Sequence, residues 1–181
     1  MTKNHIYIIA NEARNHNLFL EKIAEGKFEK RIPEWINVPD IVDVIEPDQK
    51  NPFRYVIERI NGDTLKKIEL IKSDTLQEYR EKIKDFSDTE IYKMSEYQLN
   101  ELLKQRGVEE EEILYTIIQP AIFILPSLFP KQTQLFFKCL EYLRNEKGIE
   151  HADLHTENLI VDKNGNMYLI DFGNINVYNT L

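Results

Sequence analysis

The stretch that decides the fold lies near the C-terminus, where HADLHTEN at residues 151–158 is followed by LIDFG at residues 169–173. Three polar residues in these segments, Asp153, Asn158 and Asp171, stand among apolar neighbours. Carboxylates in apolar surroundings cost free energy unless they are paired or bind something. These three residues are therefore candidates for a binding site.

The sequence between the two motifs predicts how these side chains meet. The runs NLIVD and MYLID, which flank KNGN at residues 163–166, have the composition of two strands joined by a hairpin turn. Because a hairpin folds back on itself, we expect Asp171 to lie beside the loop that holds Asp153 and Asn158. Oxygen ligands of this kind suit Mg²⁺, which takes further ligands from water and substrate phosphates. Asp153 is then free to accept a proton from a hydroxyl nucleophile.

The composition is that of one soluble, acidic domain, because the 181 residues are 42% apolar and 30% charged. Lys and Arg number 23 against 31 Asp and Glu, and the net charge of −8 argues against a nucleic-acid partner. The apolar run at 113–130 contains Gln119 and three prolines, so we expect buried core and no membrane span. The single cysteine, Cys139, and the absence of a signal-peptide core favour a cytoplasmic protein, in its own cell or in a host cell.

Hydrophobic periodicity predicts an α+β layout, with strands early in the chain and helices later. NHIYIIA (4–10) is typical of a strand, and an amphipathic helix with Gly26 as its stop is predicted to follow. DIVDVIE (40–46) and FRYVIERI (53–60) are predicted to be two strands joined by a turn at 47–52.

The region from Thr64 to about Lys147 is predicted to be helical. SDTE (87–90) has the spacing of a capping box and should open a helix that Gly107 closes. The acidic run Glu109–Glu112 is interpreted as the first turn of a helix, with an acidic interaction patch as the alternative. The segment 132–148 is strongly amphipathic and predicts a helix that its final glycine ends.

Together the two terminal motifs resemble the H-x-D-L-x-x-x-N … D-F-G pattern of the protein-kinase-like superfamily. The matching positions are His151, Asp153, Leu154, Asn158, Asp171, Phe172 and Gly173. The resemblance implies a single α+β, kinase-like domain, with a reduced N-lobe at 1–60 and a truncated, mainly helical C-lobe at 61–181. It also implies ATP and Mg²⁺ as cofactors.

The resemblance implies a role for each residue of the motif. Asp153 would be the catalytic base, and Asn158 and Asp171 would be the Mg²⁺ ligands. His151 would be a structural packing residue. His155 stands where Ser/Thr kinases usually carry lysine, and as a second catalytic residue it resembles the aminoglycoside, choline and lipopolysaccharide-sugar kinases and the atypical membrane-associated kinases.

Upstream, YVIERINGDTL at 55–65 resembles the strand, hinge and first C-lobe residues of such kinases. Ile57 would then guard the back of the nucleotide pocket. Glu58, Arg59 and Ile60 would form the hinge whose backbone meets adenine.

The N-terminal part departs from the family pattern. It has no glycine-rich phosphate loop, since the first glycine is Gly26. The place of the phosphate-pairing lysine falls near Ile8, and that of its glutamate partner near His16. An alternative register pairs Lys3 with Glu12 or with Glu21, and in it Lys3 would contact the nucleotide.

The C-terminal part departs as well. Only eight residues follow Gly173, so we expect a chain truncated at both ends, without the activation segment that forms the peptide platform. Residues 66–129 match nothing recognisable, and we expect them to replace the missing helices beneath the active-site loop.

These features leave several functions open. The first hypothesis is an ATP- and Mg²⁺-dependent kinase whose acceptor is a protein Ser/Thr hydroxyl, with a small molecule as the other acceptor. The second is a pseudokinase, a nucleotide-binding module that acts by binding a regulatory protein partner. A third is a gene fragment, or half of a split kinase that another chain completes. We expect the truncated end to leave apolar surface that a partner or a homo-oligomer would cover.

Overall fold

The computed structural model describes the backbone of residues 3–45 and 54–178, and side chains from Asn11 onward except at 44 and 54. The helices are α1 (Lys3–Phe28), α2 (Leu65–Lys72), α3 (Gln77–Lys82), α4 (Asp88–Lys93), α5 (Glu96–Gln105), α6 (Glu110–Glu112), α7 (Ala121–Leu128) and α8 (Pro130–Asn145). The strands are β1 (Ile36–Asn37), β2 (Ile41–Ile45), β3 (Arg54–Ile57), β4 (Gly62–Thr64), β5 (Ile149–His151), β6 (Leu159–Asp162), β7 (Met167–Leu169) and β8 (Ile175–Val177). The α+β class with a reduced sheet is confirmed.

The first element is a helix, so the strand predicted at 4–10 is wrong. Short apolar runs such as IYII do not distinguish a strand from a buried helix segment by pattern alone. The helix α1 also continues through Gly26, the predicted stop, and ends two residues later at Phe28. Lys30, with φ of 59°, then reverses the chain.

The strands form three small sheets. The antiparallel pair of β2 and β3 is confirmed, while the turn predicted at 47–52 lies outside the described residues. Four strands form a sheet in the order β1-β7-β6-β4, in which the hairpin of β6 and β7 confirms the predicted turn at 163–166. Four short strands were not predicted: β1, of two residues, and β4, β5 and β8, each of three residues.

The long helical region is confirmed from Leu65 onward, with several breaks. The capping box at Ser87 and Glu90 opens α4, but this helix stops at Lys93 and a second capping box at Ser95 opens α5. Glu109 caps α6 and Glu110–Glu112 form its first turn, which confirms that this acidic run begins a helix. It continues as a π-helical turn at Ile113–Ile117.

Two clusters of buried apolar side chains support these elements. The larger cluster joins α1, α7 and α8 to the four-stranded sheet, and Phe19, Phe136 and Phe172 are fully buried in it. The smaller one lies within residues 70–118. The run at 113–130 is core only in part, because Tyr115 is 80% exposed.

No helix in the described part of the chain is long and apolar enough to cross a membrane. The division into lobes at 1–60 and 61–181 stays a prediction.

Candidate active site

The loop between β5 and β6 is held in shape by Asn158. This side chain is 5% exposed, and its Nδ2 donates a hydrogen bond to the Asp153 carbonyl oxygen at 2.9 Å. The backbone N–H of His155 donates to the same carbonyl at 3.1 Å. Because the amide nitrogen is used inside the loop, the Asn158 Oδ1 is left available to a ligand.

His151 fixes the start of this loop. Its Nδ1 accepts a hydrogen bond from the Asp153 N–H at 3.3 Å, so its Nε2 is the atom that donates to the Ile170 carbonyl, at 2.8 Å. Burial lowers the pKa of His151, which favours this neutral form. The ring packs on Phe172, with 5.2 Å between centroids, in agreement with the packing role expected for it.

The hairpin brings Asp171 to the same place. The Ile170 N–H donates to the Asn158 carbonyl at 3.1 Å, so Asp171 follows directly beside Asn158. Asp171 adopts a left-handed conformation with φ of 60°, and its Oδ1 accepts a hydrogen bond from the Gly173 N–H at 3.3 Å. Strained backbone of this kind, rare outside glycine, concentrates at functional sites.

Two of these residues carry donor atoms of the kind that Mg²⁺ binds. The free Oδ1 of Asn158 and the exposed carboxylate of Asp171 are the hard oxygen donors that Mg²⁺ prefers. Two protein ligands leave room for phosphate oxygens and water, which Mg²⁺ usually retains.

Asp153 and His155 lie on the open side of the loop. The Asp153 side chain is 55% exposed, so an incoming hydroxyl can reach its carboxylate. His155 Nε2 lies 3.8 Å from Asp153 Oδ2 and 3.0 Å from Asn158 Nδ2. His155 thus sits between the expected base and an expected metal ligand.

The helix α1 covers the other side of the motif. Asn15 Nδ2 donates to the Phe172 carbonyl at 2.9 Å, and the rings of His16 and Phe19 each lie 4.8 Å from the Phe172 ring. Asn15 and Phe19 were not predicted to lie beside the site, because no sequence motif marks either residue.

A further contact links α1 to β3. The Tyr55 hydroxyl donates to Glu12 Oε1 at 2.5 Å. Burial raises the pKa of Tyr55, and its hydrogen bond to Glu12 and the negative charges of Glu12 and Asp171 raise it further. Glu12 was expected only as a partner for Lys3, and its contact with Tyr55 was not predicted.

The lysine–glutamate pair expected to hold the phosphates is not assembled near Ile8 and His16. Ile8 lies in a helix, and His16 bonds the Pro39 carbonyl and packs on Phe172 where a glutamate was expected. Lys3 begins α1, but its side chain lies outside the described residues. Among the described side chains, no lysine or arginine nitrogen lies within 4.0 Å of the Asp171 carboxylate.

The expected hinge follows β3. Ile57 is 38% exposed at the end of this strand, and Arg59 is also exposed. The Glu58 N–H donates to the Asp40 carbonyl at 2.9 Å, which ties the hinge to β2. Among the described residues, the N–H and carbonyl of Ile60 form no backbone hydrogen bond. The hinge backbone is therefore free for a ligand at Ile60.

Comparison with known proteins finds similarity to kinases in parts of the chain. Residues 131–180 match the model of the ABC1 atypical kinase-like domain. A 60-residue segment, 33% of this chain, is 35% identical to 11% of the serine/threonine-protein kinase CHK1 of Saccharomyces cerevisiae. A 35-residue segment, 19% of this chain, is 54% identical to 7% of a Dictyostelium discoideum protein named as a probable serine/threonine-protein kinase.

The matched segments span about a tenth or less of the length of these two relatives. No solved structure matches this chain.

Proposed function

We propose that this chain, a member of the protein-kinase-like superfamily by its C-terminal segment, is an ATP- and Mg²⁺-dependent phosphotransferase. The observation that carries the proposal is the placement of Asp153, Asn158 and Asp171 around one hydrogen-bonded loop. The proposed acceptor is a protein Ser or Thr hydroxyl, in line with the names of the two curated relatives.

Each residue of the loop has a part in the proposed reaction. Asn158 Oδ1 and the Asp171 carboxylate would hold Mg²⁺, which supplies charge neutralisation of the phosphates when bound. As the acceptor oxygen bonds to the γ-phosphorus and the bond to the β,γ-bridging oxygen breaks, the hydroxyl proton passes to Asp153. ADP is the leaving group. His155, whose Nε2 lies 3.8 Å from Asp153 Oδ2, would be the second catalytic residue beside the base.

The nucleotide is proposed to bind along the hinge. The Ile60 N–H and carbonyl are the free backbone groups that adenine would meet, and Ile57 would border the ring. The phosphates would then extend toward Asp171. Lys3 as a contact of the nucleotide stays a prediction, since its side chain lies outside the described residues.

One observation favours a second function. Among the described residues, no basic side chain lies against the Asp171 carboxylate. Such a cation matters for catalysis, because positioning and electrostatic stabilisation supply nearly all the rate enhancement of phosphoryl transfer. A nucleotide-binding module that acts on a partner protein would keep the two expected Mg²⁺ ligands, and it would need no basic side chain beside them.

Two measurements separate these functions. We expect millimolar Mg·ATP to raise the Tm of the purified chain, because a ligand that binds only the folded form stabilises it. We also expect transfer of labelled γ-phosphate to a Ser/Thr-rich protein such as casein. Asp153→Asn should abolish transfer and keep the Tm shift, while Glu111→Gln, an exposed carboxylate in α6, should change neither.

The absence of any Tm shift at millimolar Mg·ATP would refute the nucleotide site. A shift without transfer to protein or small-molecule hydroxyls would support the binding module. Transfer that persists in Asp171→Ala would contradict the metal role of that carboxylate.

A further inference from the structure

Lys66, the second residue of α2, is a fully buried lysine that the proposed reaction does not use. Its relative exposure is 0%. Burying an ammonium group is costly unless it is paired and hydrogen-bonded. The groups around Lys66 therefore indicate why the sequence keeps a charge there.

The partners of this ammonium come from two separate parts of the chain. In α5, Lys66 Nζ lies 2.6 Å from Glu96 Oε2 and donates to Asn100 Oδ1 at 2.9 Å. It also pairs with the carboxylate of Glu157, which stands directly before Asn158 in the active-site loop. Burial alone would raise the pKa of Glu96, but the charge and hydrogen bond of Lys66, with smaller contributions from Thr64 and Lys67, bring it below its ordinary value. One ammonium thus joins α5 to the loop.

The backbone makes a second connection at the same point. The Lys66 N–H donates to the Thr156 carbonyl at 2.9 Å, and Thr156 is fully buried. The Thr156 N–H donates to the Gln119 carbonyl at 2.8 Å, and the Gln119 N–H donates back to Thr156 Oγ1 at 3.3 Å. The loop is therefore held from both sides just before Asn158.

We propose that Lys66 is a positioning residue of the active site, which holds Glu157 and thereby fixes Asn158 and Asp153 in their working arrangement. The Glu157 carboxylate is committed to this ion pair, with its side chain 19% exposed, and does not serve as a contact for an acceptor. The inference rests on the proposed function, since the arrangement it preserves is the one that transfers phosphate.

The neighbouring Lys67 provides a matched control. It is 7% exposed, its Nζ lies 3.6 Å from Glu96 Oε1, and it donates to the Met94 carbonyl at 2.6 Å. Among the described residues, the hydrogen-bond and ion-pair partners of its Nζ lie at the junction of α4 and α5, and none is in the loop at 151–158. Substituting either lysine removes a buried ammonium group that pairs with Glu96, but of the two only Lys66 also contacts Glu157.

The experiment compares Lys66→Met with Lys67→Met. We expect both to lower Tm, and only Lys66→Met to lower kcat at least about tenfold, with KM for ATP changed less than about twofold. We also expect faster amide hydrogen exchange in the peptide 151–160 for Lys66→Met alone. Equal effects of the two substitutions on kcat and on loop exchange would overturn the proposal.

Two further arms keep the outcomes distinct. If Lys66→Met does not fold, Glu157→Gln removes the charge pair from the other side and should produce the same loss of kcat and the same faster exchange. If the wild-type chain transfers no phosphate, the proposed function fails, and loop exchange still decides whether Lys66 holds the loop.

Discussion

The ring of His16 in α1 lies edge-on against the ring of Phe172, with 4.8 Å between the two centroids. The His16 Nε2–H donates to the Pro39 carbonyl at 2.6 Å, so the same side chain ties α1 to the start of β2. A residue at the place expected for the glutamate partner of the phosphate-pairing lysine thus packs against the Asp171–Gly173 motif. Because His16 makes these contacts, the stability of the fold depends on whether its ring is protonated.

Acidification should weaken the fold through His16. Burial lowers the pKa of His16 below its ordinary value of 6.5, so below that pH the unfolded chain binds a proton that the folded chain resists. This contribution to stability is present above pH 6.5 and is lost as the pH falls through the folded pKa. His16→Gln should show a smaller drop in unfolding free energy between pH 7.5 and 5, measured by urea denaturation. An unchanged drop would contradict this account.

Glu69 should act in the opposite direction. This residue of α2 is 1% exposed, and burial raises its pKa from 4.5 to about 7. The folded chain therefore holds the proton more tightly, and stability should fall as the pH rises from 4.5 to 7, by at most about 3 kcal/mol. Glu69→Gln should remove this fall and be the more stable form at pH 8. A less stable Glu69→Gln at pH 8 would show that the carboxylate has a partner.

Phe19 should be a major contributor to the docking of α1. It is fully buried and contacts both Phe172 and His151. Phe19→Ala should cost about 3–5 kcal/mol of unfolding free energy, because it opens a cavity in the larger core. Phe28→Ala in the same helix removes a ring that is 89% exposed and should be nearly neutral. Similar costs for both in urea denaturation would rule out this packing.

Gly62 should tolerate no side chain. A Cβ atom there would lie 2.6 Å from the Val161 carbonyl oxygen, a backbone atom of the paired strand that cannot turn away. Gly62→Ala should therefore lower the unfolding free energy by about 1–3 kcal/mol. Asn61→Ala, at the exposed position before it, is the control and should stay within about 0.5 kcal/mol of wild type.

Asn158→Asp should separate metal binding from positioning. The new carboxylate keeps an oxygen ligand for Mg²⁺ but cannot donate to the Asp153 carbonyl. On the proposed function, the Tm shift with Mg·ATP should persist while phosphate transfer falls by about a hundredfold. Asn164→Asp, on the exposed hairpin turn, adds the same charge without touching the site and should transfer normally. Full transfer by Asn158→Asp would show that the Asp153 contact is dispensable.

Sequence reasoning succeeded where the controlling interactions are local. The capping box at Ser87, the helix first turn at Glu109–Glu112 and the turn at 163–166 all depend on residues within four positions of each other. It failed at residues 4–10, where a short apolar run fits a strand or a helix equally well. It also missed β4, since a three-residue strand is defined only by its pairing with β6.

The loop at 151–158 and the hairpin that returns Asp171 to it could be predicted from the local sequence, because their spacing and turn residues are contained in one short segment. Tertiary structure alone decided what holds that loop in place. Lys66 and Glu157 are 91 positions apart, and Phe19 and Phe172 belong to opposite ends of the chain. Such contacts leave no periodic signal in the sequence, since they arise only when separately folded elements bury their side chains against each other.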